Sequence, residues 1–500
     1  MCLFLVACNQ QQKGNRSQHF DLVIQNALVI DGTGGAPFSA NVYISDDTIS
    51  LIDQSMESRH TAERNIDAEG RFLTPGLIDL HAHGDPTITP EFENFLAMGV
   101  TTISLGQDGS SPYVENQKEW QDEVDQEGVG VNLAMFVGHG TLRTMSGIGT
   151  KEKGTAEEMQ KLHSLLRQNL EHCFGLSTGL EYAPGIYAPE DELIELARIV
   201  GESDRMIMSH MRNEDDDQLD RSINELIAQG AHARVHVSHL KSVYGKGTER
   251  ANIILQNIKE ARSNGIEITA DIYPYTASYT GIGILFPDWC KTQEQYEKFK
   301  KTRWGELAMF IRNKVHKRNG PEATLLGSAP YAGKTLADLE KEKNKPFEEI
   351  VIDEIGPRGA SGAYFVMNEK LQSKLLVDPL ISICSDGSPK GYHPRGHGTF
   401  ARIIEKYVVN ERKLKMEEAI RKMTSYAASI LSVSDRGIIA VGKKADLILF
   451  NPLNVKENAD YSDPFQLADG FDIVIVNGKV ARENGKLSGV LYGRVLQPET

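Results

Sequence analysis

Through its middle the chain repeats one pattern. Short apolar runs end in a polar residue, near His83, Gln107, His139, Thr178, His210, His239, Tyr273 and Asp386. Between the runs lie stretches with apolar residues at helical spacing, for example 189–202, 217–229 and 249–264. Buried strands alternating with amphipathic helices predict an α/β fold, a parallel sheet with helices outside it. Eight such strands over 72–434 predict a closed (β/α)8 TIM-like barrel. The rhythm breaks over 281–350, which is lysine-rich, helix-prone and carries Trp289 and Trp304. That segment is read as an insertion between strands seven and eight, lying over the barrel mouth. The two ends differ from the middle. Residues 20–71 and 435–500 hold short strand-like runs, 21–30, 41–44, 446–450, 473–476 and 479–481, with Asn477-Gly478 as a hairpin signal. They predict one small β-sandwich domain built from both termini, with 1–19 left as a separate leader.

Composition narrows the functional classes. The chain has 500 residues and a formal charge of -15, against nucleic acid as a main partner. An anionic small molecule stays open, because a few local cations can hold a carboxylate. The acidic run Glu214-Asp215-Asp216-Asp217 reads as a solvated loop or helix start. Five cysteines form no CxxC pair; Cys173 and Cys384 lie in apolar runs and read as buried thiols. Leu5-Val6-Ala7-Cys8 resembles a bacterial lipobox, with 10–18 as a polar tether. It implies a lipid on Cys8, membrane attachment, and a place in the bacterial periplasm or at the cell surface. The apolar part is short and lacks a basic flank; without the lipid, the location reads as cytoplasmic. No other stretch is long enough to span a membrane.

The chemistry concentrates at the strand ends. Pro75-Gly76-Leu77-Ile78-Asp79-Leu80-His81-Ala82-His83 closes an apolar run with two histidines one residue apart. In extended chain both point the same way, so both can ligate one divalent ion. His210, His239 and Asp386 end three further runs at the barrel face where such enzymes build their sites. Imidazole and carboxylate donors suit zinc, with manganese or cobalt as alternatives. Asp386 is placed to move a proton between the reaction and water.

These positions, taken in order, resemble the amidohydrolase superfamily. Gly138-His139-Gly140-Thr141-Leu142-Arg143, Gly175 to Tyr182, Ser238-His239-Leu240-Lys241, Asp271 to Ala277, Ser385-Asp386-Gly387 and His393-Pro394-Arg395 narrow the match to the D-aminoacylases, or N-acyl-D-amino-acid deacylases. The resemblance implies a metal-dependent barrel with a small β-sandwich domain. It implies hydrolysis of an N-acyl-D-amino acid by metal-bound hydroxide, with Asp386 as general acid and base. It implies one or two zinc ions held by His81, His83, His210, His239 and Asp386. The family's cysteine after strand two is missing; Gly106-Gln107-Asp108-Gly109 stands there. Asp108 is therefore a candidate oxygen ligand and Glu181 another, and either could bridge two metals. Lys241, Tyr182, Tyr273 or Tyr275, Ser278 and Arg395 are implied to bind the substrate carboxylate. His139 and Arg143 are further candidates for substrate contact, while His393 and His397 read as supporting loop groups. Rival readings are a cyclic amidase, a dipeptidase for D-residues, or a lipid-anchored binding protein without catalysis. Oligomeric state is not legible.

Overall fold

The computed structural model describes residues 18–57 and 60–499. The lipobox-like segment and Cys8 lie outside these. Among the described residues no helix is long and apolar enough to cross a membrane.

Eight short parallel strands form the centre: β1 (Leu77–Asp79), β2 (Val100–Leu105), β3 (Asn132–Met135, continuing as Val137–Gly138), β4 (Gly175–Gly179), β5 (Met206–His210), β6 (Arg234–Val237), β7 (Ile268–Ile272) and β8 (Ile381–Ile383). They pair in chain order, β1-β2-β3 in one ladder and β3 to β8 in another. The break at β3 is spanned by Phe136, whose N–H donates to Leu105 O at 2.9 Å. Beyond their strand ends, β1 and β8 join through Asp386 N to His81 O and His83 N to Gly387 O, both 2.8 Å. These bonds close the barrel at the face that carries the histidines. His81 and His83 therefore lie just past the regular strand, in an extended pairing of Ala82 with Gly387 that keeps both rings on one side.

The strands read as unbroken apolar runs because both faces are covered. Ile207, Val235, Val237, Ile268 and Ile383 are fully or almost fully buried and share one core with helices such as Glu190–Glu202, Asp216–Gln229 and Gly247–Ser263. Burying such side chains stabilises by roughly 1.5–3 kcal/mol each.

The segment between β7 and β8 forms a small antiparallel sheet (Ala277–Gly281, Ser361–Phe365 and Thr324–Leu326) with helices Gln293–Thr302 and Trp304–Lys317. It has its own core, including Leu285, Ile311, Leu326, Phe347 and Tyr364. It is wider than 281–350, because two of its three strands begin or end outside that range. From the two chain ends comes a nine-stranded sheet. Val42 and Ile44 from one end and Leu447 and Ile475 from the other pack in a single cluster, so strands of both termini share one small β-rich core. Asn477 and Gly478 both take positive φ, 48° and 76°, as the hairpin turn requires.

Candidate metal centre

The barrel axis collects side chains from six strand ends. Asp108 Oδ1 lies 3.2 Å from His81 Nε2, 3.2 Å from His239 Nε2 and 3.6 Å from His210 Nδ1. Its other oxygen is 3.6 Å from His83 Nε2. Asp386 Oδ1 lies 3.0 Å from His83 Nε2 and 3.8 Å from His81 Nε2. Asp108 thus faces all four histidines and stands between the pair after β1 and the pair ending β5 and β6. One donor atom each from His81, Asp108, His239 and Asp386 falls within 4.8 Å of the others. Glu181 Oε2, just past β4, is 3.3 Å from His210 Nε2.

Backbone geometry turns these side chains inward. Asp108, His239 and Asp386 have φ of 54°, 39° and 49°. Left-handed conformations of this kind cost on the order of 1–3 kcal/mol and concentrate at functional sites. Gly106 is needed just before Asp108: a side chain there would place its first carbon 2.2 Å from the Phe136 carbonyl oxygen. Beneath the ligands, buried carboxylates fix the strand ends. Asp79 Oδ1 accepts from His81 N at 3.2 Å and Ser385 N at 2.9 Å, and burial pushes its carboxyl up to about 7. Asp271 accepts from His239 N and lies 3.0 Å from His236 Nε2.

The arrangement suits a cation. His81 is fully buried, yet neither ring nitrogen makes an aligned hydrogen bond. Five carboxylates, Asp108, Glu181, Glu214, Asp215 and Asp386, line one cavity against three basic side chains, Lys241, Arg318 and Arg395. Burial resists ionisation of Asp108, but His81, His210 and His239 outweigh it and hold the carboxyl well below its usual range. Asp386 is held low despite burial, by Arg395 first and then His239. Burial would keep His210 neutral, but Glu214 and Asp108 raise it to about 10. A divalent ion satisfies these charges, and neutral imidazole with carboxylate oxygen is a donor set for zinc.

The sequence reading missed Glu214. Its acidic run does start a helix, Asp216–Gln229, but Glu214 and Asp215 are buried, not solvated. Glu214 Oε1 is 3.3 Å from His239 Nδ1 and 2.7 Å from Lys241 Nζ. A carboxylate behind a ligating histidine fixes its ring and tautomer. Lys241 turns inward, as its position after His239 allowed, and Glu214 keeps it charged against burial.

Around this centre lies a cavity of 340 Å³ lined by His83, Asp108, Glu181, Tyr182, His210, Lys241, Ser278, Asp386 and Arg395, among others. The Ser278 hydroxyl is buried without a partner. Arg395 reaches Asp386 Oδ2 at 2.6 Å and stacks on Tyr273, 5.0 Å from its ring centroid. Of the two tyrosines proposed for the substrate carboxylate, Tyr273 sits beneath Lys241 and Arg395, whereas the Tyr275 hydroxyl donates to Glu457 at 2.7 Å. His139 and Arg143 are not brought to the cavity. His139 Nε2 and Arg143 both bind Glu192, at 2.8 and 2.6 Å, in a buried ion pair on the helix side of the barrel. His393 lines the cavity wall, its Nε2 3.1 Å from Ala277 O. Tyr279, Thr280 and Arg318 also line the cavity from the inserted segment. Nothing in their local sequence marks them, because the tertiary fold of the insertion brings them there.

Known proteins share this chain's sequence and fold. Residues 351–482 match the model of the amidohydrolase family. An N-acyl-D-glutamate deacylase from Alcaligenes xylosoxydans xylosoxydans is 29% identical over 488 residues, 92% of this chain and 93% of that protein. A D-aminoacylase from the same organism is 27% identical over 96% of this chain and 98% of its own length. Among solved structures, an N-acyl-D-glutamate deacylase from Bordetella bronchiseptica, complexed with zinc and a phosphonate that mimics the tetrahedral intermediate, superposes with a TM-score of 0.83. It is 28% identical, over 96% of this chain and all of that one. An L-hydantoinase from Arthrobacter aurescens, 15% identical with a TM-score of 0.57, shares the fold.

Proposed function

We propose that this chain, which resembles the D-aminoacylases of the amidohydrolase superfamily over nearly its whole length, hydrolyses N-acyl-D-amino acids to a carboxylate and a free D-amino acid. The observation that carries the reading is Asp386. Its carboxylate stands beside His81, His83 and Arg395 at the floor of a cavity that also holds Lys241 and the free Ser278 hydroxyl. His210, His239 and Asp108 would hold one zinc ion; His81, His83 and Asp386 would complete a second position, with Asp108 shared. When bound, the metal supplies Lewis-acid polarisation of the amide carbonyl and activation of water.

The chain's own residues do the rest. Asp386 Oδ1 takes a proton from the attacking water and later returns it to the leaving amine nitrogen. Arg395 keeps that carboxylate ionised and ready to accept. Lys241, backed by Glu214, and Arg395 face the α-carboxylate, which lies two bonds from the scissile nitrogen and so beside Asp386. Tyr182, 4.5 Å from the His210 ring, closes one wall against water. The test is a panel of N-acetyl-D- and N-acetyl-L-amino acids assayed with metal-analysed protein. Hydrolysis of D-substrates that is lost on chelation supports the reading. Activity on cyclic hydantoins alone, or on none of these, would discard it.

We also infer that the chain is a lipid-anchored protein of the bacterial periplasm or cell surface, modified on Cys8. The lipobox-like Leu5 to Cys8 and the polar stretch after it support this. Lipid labelling that persists in Cys8→Ser would refute it.

A further inference from the structure

Arg318 is the cavity's unmatched cation. It follows helix Trp304–Lys317 in the inserted segment, is 2% exposed and lines the same cavity as Asp386. Its guanidinium stacks on Tyr364 at 4.8 Å. Its Nε has no hydrogen-bond partner, and among the described residues no carboxylate lies within ion-pair distance. Asp215, which lines the same cavity, is taken by Lys317 at 3.0 Å and Lys314 at 3.5 Å. A helix C-terminus favours cations in water; that accounts for half-exposed Lys317, not for a buried arginine without a counter-ion. Burying such a charge unpaired is costly, so a counter-ion is expected when the site is full. The surplus is felt nearby, since burial lowers Lys314 and Arg318 adds to that effect.

We propose that Arg318 receives a second carboxylate of the substrate, beyond the α-carboxylate. The inference rests on the deacylase reading and gives it a substrate class: N-acyl-D-amino acids with an additional carboxylate. Position separates the two roles. Lys241 and Arg395 touch His239 and Asp386, next to the reacting bond. Arg318 touches neither and lines the same cavity from the inserted segment, away from the reacting bond. The planar fork of an arginine fits a carboxylate with two parallel hydrogen bonds. That outer carboxylate can belong to the amino-acid side chain or to the acyl group.

The experiment compares N-acetyl-D-glutamate, N-succinyl-D-leucine and N-acetyl-D-leucine on zinc-loaded wild type, Arg318→Met and Arg318→Lys. The expected result is that wild type favours one dicarboxylate over N-acetyl-D-leucine. Preference for N-acetyl-D-glutamate puts the group on the side chain, and preference for N-succinyl-D-leucine puts it on the acyl moiety. Arg318→Met then lowers kcat/KM for the favoured dicarboxylate, relative to N-acetyl-D-leucine, by about 10–100-fold, chiefly through KM. Arg318→Lys recovers part of that loss and decides the matter if the methionine variant does not fold. Equal use of all three substrates by wild type, or equal losses on all three in the variants, overturns the inference and leaves the deacylase reading standing. No hydrolysis of any of them by wild type discards both.

Discussion

Two buried clusters of histidine, basic and acidic side chains sit on the same barrel, and they differ in what is left over. At Glu192 the charges close. Arg143 binds both carboxylate oxygens and gives its remaining donors to Gly149 O and Lys151 O, while His139 Nε2 takes the same carboxylate. At the barrel axis they do not close: carboxylates outnumber the fixed cations, His81 lacks aligned partners, and three residues hold left-handed backbone. Histidine and arginine at a strand end do not distinguish structure from function. Surplus charge does, because a fold without a ligand leaves it uncompensated; an unpartnered ring nitrogen alone does not, since His139 Nδ1 lacks a partner as the His81 nitrogens do.

The sharpest way to break the comparison is to neutralise one carboxylate in each cluster. Asp386→Asn keeps the shape and removes the proton carrier. Steady-state assays on an N-acyl-D-amino acid are expected to show kcat per folded molecule reduced by about 10²–10⁴-fold, with a loss of stability as well, because buried Arg395 loses its counter-ion. Full activity in this variant would remove Asp386 from the chemistry. Glu192→Gln is expected to affect stability alone. It leaves Arg143 buried without its counter-ion, and urea unfolding should record a loss of about 3–5 kcal/mol. Its turnover per folded molecule should stay near that of wild type, since Glu192 does not line the cavity. A variant with normal stability and a raised KM would return His139 and Arg143 to the substrate site.

A subtler variant tests whether Glu214 belongs with the centre. Its carboxylate backs His239 and pairs with Lys241. Groups in that position typically change metal affinity by about 10–100-fold. Glu214→Gln should therefore lose zinc at lower chelator concentration than wild type, read by metal analysis after dialysis. Unchanged retention would make Glu214 merely a partner of Lys241.

What the sequence disclosed follows the same division. The barrel was legible because each buried strand writes a continuous apolar run. His81, His83, His210, His239 and Asp386 were legible because each directly follows such a run. Asp108 showed itself only through the family's missing cysteine. Glu214 was hidden in a run of four acids, which usually means solvent. Its burial depends on Lys241, 27 residues on, turning back toward it. The pairing of His139 and Arg143 was not legible, because their partner, Glu192, belongs to a helix 49 or more residues away. Arg318 lies in an insertion whose packing no local pattern reveals. Sequence gives donor type and strand position; which donors remain unsatisfied is a property of the folded whole.

A third buried charge refines the contrast at smaller scale. Lys422 is fully buried, with no carboxylate at ion-pair distance among the described residues, yet it is not surplus: its Nζ donates to Leu376 O at 2.7 Å and Asp378 O at 2.5 Å. Carbonyl oxygens can accept from the neutral amine as well as from ammonium. Burial lowers the group to about 7, against the weaker pull of Glu418 and Asp378. The folded value is below the unfolded one, so above pH 7 the unfolded chain binds more protons. Stability contributed by this residue therefore rises with pH from about 7 toward the unfolded value near 10.4, with a slope of up to about 1.4 kcal/mol per pH unit. Urea unfolding at pH 7 and pH 8 should show this rise in wild type and lose about 1 kcal/mol of it in Lys422→Met. If both proteins respond alike, the amine stays charged throughout, and two carbonyls suffice to hold a full buried cation without any counter-ion. That outcome would weaken the use of unmatched charge as a mark of function, at Arg318 as well as at the metal centre.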